Sequence, residues 1–124
     1  MPTVEITAEN FEQTIDDNSI VVLDFWASWC GPCRSFAPVF EAAAEKNPGI
    51  VFGKIDTEAQ RALAAHFGIR SIPTLMVFRD QIAIFQQPGA LRKAELNDLL
   101  DQIQALDMAD VRAQIAAAST TDVA

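Results

Sequence analysis

Cys30 and Cys33 are the only cysteines in the 124-residue chain, and they lie three apart. Two cysteines cannot build a disulfide framework that holds a fold together, so a close pair points to redox or metal chemistry. They stand in Trp29-Cys30-Gly31-Pro32-Cys33, where a strand pattern meets a helix pattern. The free N–H groups and partial positive charge of a helix N-terminus stabilise a thiolate. Thiolate is the nucleophile, so Cys30 is expected to have a lowered pKa. A spacing of three in the first helical turn brings both sulfurs within disulfide range. Cys30, at the loop edge, is expected to be exposed as the attacking thiol, and Cys33, inside the turn, to be shielded as the resolving one. The alternatives are two buried structural thiols or a zinc half-site. Zinc takes four ligands in structural sites, and the one other soft ligand, His66, falls in a different predicted helix. A metal would therefore need a second chain.

The elements that must position this pair can be read from periodicity. Strands are predicted over 3–6, 20–27, 50–56, 74–78 and 82–85. The second is nearly all apolar and rich in β-branched residues, as in a strand buried on both faces. Thr7 is expected to cap a helix over 8–17 with Phe11 and Ile15 inward. A helix over 31–46 carries Pro32 in its first turn and Pro38, which should kink it, in its interior. Residues 58–67 form the next, with Leu63 and Phe67 inward and Gly68 as its C-cap. From Leu91 the chain is helical again, Leu96, Leu99, Leu100, Ile103 and Leu106 keeping one face apolar. Early strand–helix alternation followed by a hairpin predicts an α/β fold: a central mixed five-stranded sheet flanked by helices on both faces.

Two further residues break their local pattern. Asp24 interrupts the apolar central strand, where a carboxylate is costly without a task or a partner, and desolvation should raise its pKa. The alternative is a solvated aspartate at a strand end. Ile72-Pro73 precedes an apolar strand and by itself reads as a trans proline at a sheet edge. Trp29 is expected to form an exposed apolar platform and Trp26 to lie in the core. Arg34 is expected to be solvated, Met76 and Phe78 to be strand core, and His66 to have no role.

Composition narrows the partners. The net charge is −8, with 17 acidic and 9 basic residues. Such a surface repels phosphate backbones and anionic lipid, so neither nucleic acid nor membrane is an expected partner. The N-terminus lacks the basic-then-apolar pattern of a secretory signal, which makes the cytosol the expected compartment.

The strings Asp24-Phe25-Trp26-Ala27-Ser28-Trp29-Cys30-Gly31-Pro32-Cys33 and Gly68-Ile69-Arg70-Ser71-Ile72-Pro73-Thr74 resemble the thioredoxin family motif by motif, and Gly89-Ala90-Leu91 resembles its third active-site loop. The resemblance runs from about residue 4 to 105. It implies a protein-disulfide reductase without metal or organic cofactor, using Cys30 to attack and Cys33 to resolve. It implies that Asp24 accepts the Cys33 proton, with the Lys54 ammonium nearby; from sequence alone Lys54 reads equally well as a surface lysine. It implies a cis Pro73 that faces the cysteines and leaves the Ile72 backbone free for an extended substrate. Trp29, Gly31, Pro32, Ile72, Pro73, Gly89 and Ala90 would form the substrate groove. Disulfide-bearing proteins and a thioredoxin reductase would be the partners of a monomer. A binding or chaperone-like module on the same fold, or a disulfide oxidase or isomerase, is the alternative; Gly31-Pro32 resembles the reducing members. The chain departs from the family at Gln81, where the late hairpin usually turns on glycine, and in residues 107–124, beyond a thioredoxin domain of residues 1–106. There Asp107 is expected to cap a further helix, the alternative being one continuous helix that frays at 119–121.

Overall fold

The computed structural model describes residues 2–122. Its elements are β1 (Thr3–Glu5), α1 (Phe11–Asp17), β2 (Ile20–Trp26), α2 (Gly31–Lys46), β3 (Val51–Asp56), α3 (Arg61–His66), β4 (Thr74–Arg79), β5 (Ile82–Pro88), α4 (Lys93–Ala105) and α5 (Met108–Asp122). The five strands form one sheet in the order β1-β3-β2-β4-β5. β1 and β2 run parallel to β3, while β4 is antiparallel to both β2 and β5. β2 is thus an interior strand next to two others, which is why its residues read as an almost unbroken apolar run.

Strand alternation divides the core between the two faces of the sheet. On one face Ile20, Val22, Phe52 and Leu75 pack with Phe36 and Phe40 of α2 and Leu96, Leu100 and Ile103 of α4. On the other, Val21, Leu23, Phe25, Ile55, Met76 and Phe78 pack with Ile15 of α1, and Leu63 and Phe67 cover them from the α3 side.

Local chemistry shifts several boundaries from those the periodicity predicts. α1 begins at Phe11 rather than 8, and Thr7 is not its cap. The Asn10 carboxamide oxygen instead accepts the Thr7 N–H at 2.8 Å, closing a turn before the helix starts. α3 is shorter than expected, because the Asp56 carboxylate accepts the Glu58 and Ala59 N–H groups and holds that stretch as a turn. The β4–β5 connection turns on Asp80 (φ 50°) and Gln81 (φ 70°), two left-handed residues in succession, the requirement of a type I′ hairpin.

α4 and α5 are separate helices. α4 ends at Ala105, Leu106 turns extended (ψ 137°), and its side chain is 36 % exposed instead of sealing the inner face. Arg79 fixes this corner by donating to the carbonyls of Ile103 (2.6 Å) and Leu106 (2.9 Å). The Asp107 carboxylate accepts the Ala109 and Asp110 N–H groups at 3.0 and 3.2 Å and starts α5. No helix of the described residues is long and apolar enough to cross a membrane.

Gly53, in the middle of β3, is the one strand position where a side chain has no room. A Cβ there would fall 2.5 Å from Ile6 Cγ1 and 3.1 Å from Leu23 Cδ2, and Ile6 is itself buried. Gly53→Ala should therefore cost about 1–3 kcal/mol, as overpacking does. Urea unfolding measures it, with Gly49→Ala, where a Cβ meets nothing within 4 Å, as a near-neutral control.

Candidate active site

Cys30 is the N-cap of α2. Its backbone is extended (φ −86°, ψ 112°), and its Sγ accepts the Cys33 N–H at 3.2 Å. The Arg34 N–H donates to the Cys30 carbonyl at 3.2 Å, the first full helical bond. Pro32 in this turn costs nothing, since its N–H would have had no helical partner. The two cysteines form a disulfide with their Cα atoms 5.2 Å apart, so the site is in its oxidised state. The expected contrast in exposure is absent: Cys30 is 4 % and Cys33 3 % exposed. Cys30 is tucked beneath the turn before β4, its Sγ 3.7 Å from the Ile72 carbonyl oxygen. What distinguishes the two sulfurs is the helix end, since the Cys33 amide is aimed at Cys30 Sγ.

The opposing wall is the turn 71–74. The Ile72–Pro73 bond is cis, as the resemblance implies. Pro73 is buried and Ile72 half-buried. Two hydrogen bonds brace the turn. The buried Thr74 hydroxyl donates to the Ser71 carbonyl at 2.6 Å, and the Gly89 N–H donates to the Pro73 carbonyl at 2.8 Å. Gly89 has φ 104°, a conformation that suits glycine, and it brings the exposed Ala90 loop against the turn. Among the described residues, neither the N–H nor the C=O of Ile72 is bonded to another backbone group. Trp29 is 66 % exposed beside Cys30, Pro32 is exposed and Gly31 half-buried. The Arg34 guanidinium is exposed but not merely solvated: it reaches back to donate to the Ser28 carbonyl at 2.8 Å, tying α2 to the loop that carries Trp29.

Asp24 is 0 % exposed. By alternation it points to the α2 face of β2, as Val22 does. Neither of its carboxylate oxygens has a hydrogen-bond partner. Burial pushes its pKa up from 3.8 to about 7, opposed only in part by the Lys54 charge. Lys54 lies across from it in the β2–β3 register, yet no ion pair forms; Lys54 Nζ sits 5.0 Å from the Trp26 ring centroid. Trp26 is half-buried rather than core, and its ring faces this cation. His66 is exposed on α3 with its ring against Phe67, away from these groups, and Met76 and Phe78 lie in the core. Among the described residues, no three His, Cys, Asp or Glu side chains are grouped to hold a metal.

Three features of the site escape sequence reasoning: the Thr74 brace, the Gly89–Pro73 bond and the Arg34–Ser28 bond. Thr74 carries a legible signal, a hydroxyl at the start of an otherwise apolar strand. The other two arise from chain segments far apart or from a side chain folding back.

A family model described as Thioredoxin matches residues 2–102. A relative named "Putative thioredoxin 2" from Streptomyces coelicolor is 60 % identical over 114 residues, spanning 92 % of this chain and 85 % of that protein. "Thioredoxin C-3" from Corynebacterium nephridii is 45 % identical over 100 residues, 80 % of this chain and 69 % of the relative. Among solved structures, a mutant thioredoxin from Halobacterium salinarum NRC-1 superposes with a TM-score of 0.77 at 31 % identity, covering 86 % of this chain and 95 % of that one. With its bonded Cys30–Cys33 pair at the head of α2, the chain belongs to the thioredoxin family and is a thiol–disulfide oxidoreductase that reduces protein disulfides through its own cysteines.

Proposed function

We propose that Cys30 is the attacking thiol and Cys33 the resolving one. The observation that carries this is the Cys33 N–H aimed at Cys30 Sγ, which offers a Cys30 thiolate a hydrogen bond and the helix dipole together. A disulfide-bearing segment lies extended in a groove of Trp29, Gly31, Pro32, Ile72, Pro73, Gly89 and Ala90. The Ile72 backbone, which bonds to no other backbone group, supports this, since an extended peptide could pair with it as a strand does. The Cys30 thiolate attacks one substrate sulfur, forming a mixed disulfide and expelling the other sulfur as thiolate. Cys33 gives up its proton and attacks Cys30 Sγ. The second substrate thiolate leaves, and the two electrons end on the substrate. The Cys30–Cys33 disulfide remains until a reductase restores the dithiol.

Asp24 is our candidate for the Cys33 proton acceptor. A carboxylate with a pKa of about 7 exchanges protons readily at neutral pH. Lys54 is assigned a tuning role, because its charge favours the ionised form of Asp24. We place this chemistry in a thioredoxin domain of residues 1–106 of a cytosolic monomer, and assign the extension 107–124 no part in it. No observation favours the binding-only, oxidase, isomerase or zinc-bridged alternatives.

Asp24 also makes stability depend on pH. Below about pH 4 its carboxyl is protonated in both the folded and the unfolded chain. Between about 4 and 7 the unfolded chain releases the proton while the folded one keeps it, so stability falls as pH rises. The full effect is on the order of 4 kcal/mol. Asp24→Asn should therefore unfold at higher urea than wild type at pH 8, and the gain should shrink toward pH 4. The same variant should slow disulfide reduction at neutral pH. A gain independent of pH would contradict the buried carboxylate.

Cys33→Ser should retain attack but lose resolution, because serine cannot displace sulfur at neutral pH. Incubated with an oxidised protein substrate, it should accumulate a covalent adduct that dithiothreitol releases and salt does not. The adduct should be absent in the Cys30→Ser, Cys33→Ser double variant. An adduct on Cys33 in Cys30→Ser of equal yield would overturn the assignment of roles.

A further inference from the structure

Three loops meet at the disulfide, residues 27–34, 69–74 and 87–91. In a chain with 17 acidic and 9 basic residues, those loops hold only two charges, and both are positive: Arg34 and Arg70. The Arg34 guanidinium is engaged by the Ser28 carbonyl. That of Arg70 is exposed and, among the described residues, has no hydrogen-bond or ion-pair partner. The Arg70 guanidinium is therefore free to meet a group from outside the chain.

Arg70 also lines a cavity of about 180 Å³. Trp29, Ala64, Ile69 and Ile72 supply its apolar wall, and Arg70 is the only charged residue lining it. Trp29 precedes Cys30 in the chain and the Ile72 carbonyl oxygen lies 3.7 Å from Cys30 Sγ, so this cavity adjoins the disulfide. A site with an apolar wall and one free cation suits an apolar side chain next to a carboxylate. A lysine or arginine in the same place would meet Arg70 at close range, with no anionic side chain in the cavity lining to offset it.

We propose that Arg70 is a specificity-determining residue that favours disulfide substrates with an acidic side chain flanking the attacked cysteine, beside an apolar residue seated between Trp29 and Ile72. The assignment rests on the reductase mechanism above and names its preferred substrate. It also opposes the long-range effect of the net charge: the −8 of the whole chain repels acidic partners, whereas Arg70 attracts an acidic group once it is docked. The preference should accordingly weaken with salt, as exposed charge pairs do.

The test uses disulfide-linked peptides that share a leucine next to the reactive cysteine and differ in a Glu, Gln or Lys two residues from it. Wild type should reduce the Glu peptide about fivefold faster than the Lys peptide in kcat/KM at low salt, with Gln between them. Arg70→Ala should flatten the series and Arg70→Glu should invert it, each read as the ratios of kcat/KM among the three peptides within one variant. Equal rates for the three peptides in wild type, or a preference that persists in Arg70→Ala, would overturn the assignment and leave the reductase mechanism standing. Failure of wild type to reduce any of the peptides would overturn both.

Discussion

The hydrogen bond from the Cys33 amide to Cys30 Sγ joins the fold to its chemistry. It exists because α2 begins at Gly31, one residue after Cys30, so that the first free amides of the helix face a sulfur instead of a hydroxyl or carboxylate cap. Everything that fixes the start of α2 therefore also fixes the redox site. β2 delivers the chain to that point from the middle of the sheet. Phe36 and Phe40 hold the helix against that sheet, and Pro32 suits the first turn because the amide it lacks would have been unpaired. The turn at Ile72–Pro73 closes the other side. It is held by Thr74 at one end and Gly89 at the other, so the groove is set by three segments distant in sequence.

Such a site is costly to maintain. An unpartnered carboxylate under the sheet at Asp24 opposes folding at neutral pH, and an interior glycine at Gly53 gives up strand propensity to admit Ile6. A sheet covered on both faces by apolar clusters offsets these terms. Buried apolar surface is non-directional, so the fold tolerates a charged group placed for chemistry as long as the surrounding packing stays dense.

Much of this was legible in the sequence, for identifiable reasons. β2 and α2 carry strong patterns, an apolar run ending at Ala27 and a helix opened by Pro32, and both lie where they were expected. Asp24 declared itself by breaking that run. The misreadings come from interactions that sequence spacing does not encode. Asn10 folds back on Thr7 and delays α1. Leu106 leaves the inner face because the chain turns extended at the residue after α4. Cys30 is buried because the turn 71–74, some 40 positions on, lies over it. Trp26, at the end of β2, is only half-buried and meets Lys54 of the neighbouring strand. Gln81 occupies a left-handed position that glycine would fill without strain, and neither it nor Asp80 signals by type alone that both residues of the turn have positive φ.

The central claim is that the α2 terminus makes Cys30 the nucleophile. The most direct measurement is the rate of iodoacetamide alkylation of each cysteine in the reduced protein as a function of pH, with the labelled residue identified by mass spectrometry. Cys30 should be labelled first, with a pH midpoint clearly below the value of about 8.5 for a free cysteine. Labelling of Cys30 and Cys33 at equal rates, with the midpoint of free cysteine, would contradict it.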